Sequence, residues 1–179
     1  MNNSSGKFKD VIGYMTEAER IALQRCVLET TMLDGDALEI GSLNGLSALL
    51  ILSVLRSDKT LICIEQGQCE TLFHNLVKYE HAGQVAIKNE DFNKVELKPE
   101  TKISFAFIDH DHSYVNNMAA FNKLLGYVLK GGIIALHDNG NPIFEGGTKA
   151  IEDIKELAEK YQTFLEYMRA DSFIAFQKL

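Results

Sequence analysis

Short runs rich in β-branched residues alternate along the chain with longer stretches of helical periodicity, and this alternation predicts the elements in order. "TEAERIALQRCVLETTML" opens with Thr16 as N-cap and Glu19 three residues on, the capping-box pattern. It places Ile21, Leu23, Val27 and Leu28 near one helical face. "ALEIG" reads as a first strand, "LSALLILSVLRS" as a helix apolar nearly all round, and "TLICIE" as a second strand. "CETLFHNLVKYEHAG" is a helix closed by Gly83 at its C-cap, with His74 and His81 on its surface, and "QVAIKNED" supplies a third strand. After a turn at Pro99 come "ISFAFID" as strand four, "YVNNMAAFNKLLGYVL" as a helix, and "GGIIALHD" as a fifth strand opened by a glycine pair. "GTKAIEDIKELAEKYQ" is a further helix, and "FLEYMRADSFIAFQKL" a hairpin about Ala170-Asp171-Ser172.

Strands alternating with helices predict an α/β fold: a doubly wound, mostly parallel sheet of seven strands whose C-terminal hairpin is antiparallel. The 179 residues lack repeats and linkers, so one domain over 1–179 is expected, with about residues 1–7 disordered. In such sheets ligands bind beyond the carboxyl ends of the strands. Those ends here are "EIGSLNG", "ICIEQ", "KNEDF", "IDHDHS" and "LHDNGN", and each carries polar residues or glycine.

Composition narrows the partners. Apolar residues make up 46% and charged residues 24%, no apolar run approaches a membrane span, and the polar start has no secretory h-region, which points to the cytoplasm. Cys26, Cys63 and Cys69 lack CxxC spacing, so neither a disulfide nor a zinc site is read from them. A net charge of −7 with scattered Lys and Arg argues against nucleic acid and for a small molecule.

Two strand ends carry candidate chemistry. Asp109 and Asp138 close strands expected to be neighbours, and Asn139 follows directly. Two carboxylates and an amide oxygen are hard ligands suited to Mg²⁺, while zinc or iron would draw on His110, His112 or His137. On an extended strand Asp109 and Asp111 would share one side and His110 and His112 the other; a chain turning at His110 escapes that parity. A dinucleotide fingerprint counted from Gly41 requires glycine at positions 43 and 46, and both are leucine.

"EIGSLNG" resembles instead the first motif, E-x-G-x-x-x-G, of class I S-adenosylmethionine-dependent methyltransferases. The run from "FIDHDHSYV" through the glycine pair to "LHDNGNP" resembles the metal-dependent sugar and antibiotic O-methyltransferases, and the Asp-Asn pair the catechol-type enzymes. The resemblance covers about residue 36 to the C-terminus and implies a Rossmann-like methyltransferase fold. By it Glu39, Gly41, Ser42 and Gly45 line the methionine part of the cofactor pocket, Glu65 accepts from the ribose hydroxyls and Asp91 meets the adenine. Asp109 faces the cofactor and, with Asp138 and Asn139, holds Mg²⁺ or another divalent cation. Asp111 and His112 are the candidate bases for removing the acceptor's proton. "DHSY" also reads as an N-cap region in which His112 braces a helix start, and His137 as a packing residue.

The implied activity is O-methylation of a hydroxylated small molecule. A related metal-dependent enzyme such as a hydroxylase, or a cofactor-binding module needing a partner chain, are the alternatives that cofactor titration and a metal-dependent methylation assay separate. A D/N-P-P-Y/F motif of base N-methylation is absent. His110 stands where the family keeps glycine, so the acceptor does not transfer. The short leader before "EIGS" leaves room for a homo-oligomer in which a partner subunit completes the substrate site.

Overall fold

The computed structural model describes residues 7–179, so the expectation of disorder over 1–7 falls outside the described residues except at Lys7, which sits in a turn. The strands are β1 (Asp36–Ile40), β2 (Leu61–Ile64), β3 (Val85–Lys88), β4 (Ile103–Ile108), β5 (Val128–Leu136), β6 (Phe164–Ala170) and β7 (Phe173–Lys178). The helices are α1 (Glu17–Glu29), α2 (Leu46–Leu52), α3 (Cys69–Lys78), α4 (Tyr114–Leu124) and α5 (Glu145–Tyr161). The sheet order is β3-β2-β1-β4-β5-β7-β6; the first five strands run parallel and β7 pairs antiparallel to both β5 and β6. This is the expected doubly wound sheet with its antiparallel hairpin.

Every β4 residue is buried, as a strand covered on both faces requires. On one face Phe105 and Phe107 join the core built by α1, α2 and α3; on the other Ala106 and Ile108 join that of α4 and α5. The chain adds β2 and β3 on one side of β1 and then returns to lay β4 on the other. That reversal opens a crevice beyond the ends of β1 and β4. Among the described residues no helix is long and apolar enough to cross a membrane.

Three local expectations are corrected. In α1 the capping box of Thr16 and Glu19 is present, but Ile21 and Leu28 are exposed; the buried face carries Ala22, Leu23, Cys26 and Val27. The reason is that Glu19 and Gln24 also turn inward, rotating the packed face away from the purely apolar positions. Helix α3 ends at Lys78, and Glu80, at φ 63°, takes the left-handed position while the His81 N–H reaches the Leu76 carbonyl. Those bonds satisfy the last carbonyls before Gly83, which falls in a later 3₁₀ turn, and His81 lies beyond the helix. Strand β5 begins at Val128, so the glycine pair lies inside it: Ile103 pairs with Val128 but Phe105 with Ile133, a bulge that Gly131 and Gly132 accommodate.

Candidate active site

The carboxyl ends of β1, β2, β4 and β5 open into one cavity of about 940 Å³. Its first wall follows from a close backbone approach. Gly41 has φ 86°, and a Cβ there would lie 2.0 Å from the Asp109 carbonyl oxygen, so the β1 turn and the β4 end touch main chain to main chain. Ser42 is buried and donates to Glu39 at 2.5 Å. Leu43 adopts φ 46°, a left-handed backbone at the position where the fingerprint would ask for glycine. The Glu65 carboxylate holds it there, accepting from the Leu43 N–H at 2.7 Å and from Gln68 at 3.4 Å. Each Glu65 oxygen keeps a lone pair for a further donor.

Of the residues expected along this wall, Gly41, Ser42, Glu65 and Asp91 line the cavity. Glu39 and Gly45 do not. Glu39 is fully buried beneath the wall, with Ser42 and the Cys63 thiol on one carboxylate oxygen and the Ser47 side chain also acting on the carboxyl, and burial pushes its pKa up to about 7. Gly45 packs beneath Leu72 of α3, whose side chain a Cβ would meet at 2.8 Å. Asp91 accepts from the Asn93 N–H, an Asx turn at the cavity edge.

On the opposite side β4 stops at Ile108, and the parity of an extended strand does not govern the quartet. Asp109 still pairs its N–H with Ile40, which fixes it at the cavity floor. His110 has a buried Nδ1 without a hydrogen bond, and burial lowers its pKa. Asp111 accepts from Ser113 and Asn116 at the start of α4; burial opposes its charge, but these bonds hold its pKa below the usual range. The helix N-cap is Ser113. His112, with φ 57°, instead stacks on Phe144 at 4.2 Å and sets Nδ1 3.4 Å from an Asp138 oxygen.

At the end of β5, Asp138 (φ 61°) turns the chain and accepts from Asn141 at 2.7 Å. That turn sends the Asn139 N–H to the Ser172 carbonyl of the hairpin. Asn139 is accordingly not among the residues lining the cavity, contrary to its expected place beside Asp109 and Asp138. The third member of the cluster is His137. Asp109, His137 and Asp138 each offer a ligand atom within 4.8 Å of the others. His137 is only 5% exposed; its Nδ1 stands 3.6 Å from Asp109 and 3.4 Å from Asp138, and its Nε2 3.2 Å from Glu19. Burial works against a charge on the ring, yet the surrounding Asp109, Asp138 and Glu19 carboxylates push its pKa up to about 11.

Sequence reasoning missed Glu19 and read His137 chiefly as a packing residue, a metal ligand only in the zinc or iron alternative. The capping box already accounted for Glu19, and nothing local joins positions 118 residues apart. Also unforeseen was the wall formed by Ile12, Gly13 and Tyr14, where Gly13 lets the segment press on Leu46. Two aspartates beside an imidazole suit a divalent cation, and the oxygen-rich rim beyond them suits a polar cofactor.

The sequence profile of a family described as a methyltransferase domain matches residues 38–139. No curated protein matches in sequence. Among solved structures, the O-methyltransferase TomG of Streptomyces achromogenes, in complex with SAM, is 15% identical with a TM-score of 0.73, over 98% of this chain and 85% of its own. The O-methyltransferase of Bacillus cereus, in complex with SAH, is 18% identical with a TM-score of 0.69, over 98% and 87%. The O-methyltransferase NovP is 17% identical with a TM-score of 0.74, over 93% and 83%. These likenesses show the fold.

Proposed function

The chain belongs to the methyltransferase-domain family, and from that premise we propose that it is an S-adenosylmethionine-dependent O-methyltransferase that methylates a hydroxyl of a small molecule with the help of a divalent cation. The observation that carries this reading is the single cavity that joins Gly41, Ser42, Glu65 and Asp91 on one side to Asp109, Asp138 and His112 on the other. About 940 Å³ lies at the upper end of ordinary ligand sites, room for a cofactor and an acceptor together.

In this reading the backbone at Gly41 and Ser42 receives the methionine part, Glu65 takes the ribose hydroxyls with its remaining lone pairs, and Asp91 sits at the adenine edge. Asp109 and Asp138 hold the cation. When bound, the cofactor supplies a methyl that moves from sulfonium to oxygen, and the cation lowers the pKa of the acceptor hydroxyl. His112 takes the hydroxyl proton: its ring faces the cavity, Phe144 fixes its plane, and the Asp138 carboxylate steadies the imidazolium that forms. Asp111 is spent on the α4 start and is the weaker base. Orientation of the two reactants by these fixed walls supplies the remaining rate.

Asp109→Ala and Asp138→Ala are expected to lose metal-dependent methylation of a catechol probe by at least about a hundredfold while cofactor affinity stays within about tenfold. Radiolabel transfer and calorimetry read the two effects separately. Full metal-dependent turnover in both variants would place the cation elsewhere.

A further inference from the structure

The surroundings of His137 are unusual for a packing residue. The ring is buried, and its Nδ1 stands 3.6 and 3.4 Å from two carboxylate oxygens, beyond ordinary hydrogen-bond length. Buried polar groups are normally paired. Around a cation with bonds of about 2.1 to 2.2 Å, neighbouring donor atoms stand roughly 3.0 to 3.6 Å apart, so both distances are compatible with ligands sharing one ion. The far nitrogen faces the Glu19 carboxylate at 3.2 Å. A carboxylate on the outer nitrogen is the usual partner of a metal-binding imidazole, because it fixes the ring's orientation and leaves the inner nitrogen for the metal.

Glu19 is itself held for this task. It is 2% exposed, one oxygen accepts from the N–H and hydroxyl of Ser172 at 2.9 and 2.6 Å, and the other accepts from the Thr16 N–H at 2.8 Å while facing His137. Its position is thereby fixed from both the α1 start and the β6–β7 turn.

We propose that His137 is a metal ligand through Nδ1, with Glu19 as its positioning residue, so that Asp109, His137 and Asp138 form a mixed nitrogen–oxygen site for a first-row transition ion such as Mn²⁺. This rests on the metal-dependent reading above and revises its ligand set. An imidazole donor favours transition ions, whereas Mg²⁺ prefers oxygen alone. On binding, the cation takes the place of the Nδ1 proton, which leaves to solvent.

The test uses the full chain with Mn²⁺ as the probe, calorimetry for affinity and pulsed EPR for nitrogen coupling. Wild type is expected to bind Mn²⁺ at least about tenfold more tightly than Mg²⁺ and to show imidazole nitrogen coupling. His137→Gln should abolish that coupling, and Glu19→Gln should keep it while weakening Mn²⁺ by roughly 10- to 100-fold. Leu23→Ala, which weakens the packing of α1 without touching Glu19 or the ring, should leave Mn²⁺ affinity within about twofold; an equal loss there would reduce Glu19 to a structural part. Wild-type Mn²⁺ binding without nitrogen coupling, or coupling that persists in His137→Gln, overturns the ligand assignment and leaves the proposed O-methyltransferase standing. Folded wild type that binds no Mn²⁺ overturns the assignment and the metal dependence together.

Discussion

At the scale of single residues, the buried Glu39 carboxyl lies beneath the cavity wall and does not line it. Burial, partly offset by Ser42, pushes its pKa from 4.5 up to about 7. An acid raised in this way keeps a proton in the folded state that the unfolded chain gives up. The contribution of Glu39 to stability therefore falls as pH rises from about 4.5 to about 7 and stays lower above it. Glu39→Gln retains an acceptor for Ser42 and removes that cost. Cofactor-free Glu39→Gln is expected to match wild type near pH 4.5 and to exceed it by up to about 3 kcal/mol at pH 8. Thermal melts at both pH values check this, and a gap that does not widen with pH would mean the carboxyl ionises normally. Asp109, Glu65 and Gly41 were legible because strand ends announce themselves in a hydrophobic pattern. Glu19, the His112 backbone at φ 57° and the outward turn of Asn139 were not, since each depends on contacts made across the fold.

At the scale of elements, α1 is a joint as much as a covering helix. Its N-cap Thr16 accepts from the Glu19 N–H and donates to Asp171 at 2.6 Å, while Glu19 holds Ser172, so the helix start and the β6–β7 turn are tied together. Thr16→Ala removes the cap and the bond to Asp171. It should cost about 1–2 kcal/mol, a Tm lower by roughly 2–8 °C, and an unchanged Tm would show that the tie is unimportant. The capping box was readable because its partners lie three residues apart; the tie to Asp171, 155 residues away, was not. The same division explains β5. The apolar run after the glycine pair identified the strand, but its first two residues, Val128 and Leu129, were absorbed into the preceding helical pattern. Only pairing with β4 separates them.

At the scale of the whole molecule, alternation of strand and helix was enough to specify a parallel sheet, and the terminal hairpin its antiparallel edge. The strand order then decides where the crevice lies, because the reversal between β1 and β4 is where Gly41 meets Asp109. The Ile12–Tyr14 wall lies outside this logic: it is an irregular segment whose place follows from Phe8, Val11 and Met15 being buried on the sheet's helical layer. Whether this crevice binds S-adenosylmethionine is read by calorimetric titration of the full chain. Saturable one-site binding is predicted, weakened roughly 10- to 100-fold by Glu65→Ala, which removes a charged hydrogen-bond acceptor. Folded wild-type protein that takes up no S-adenosylmethionine would overturn the cofactor site proposed for this crevice.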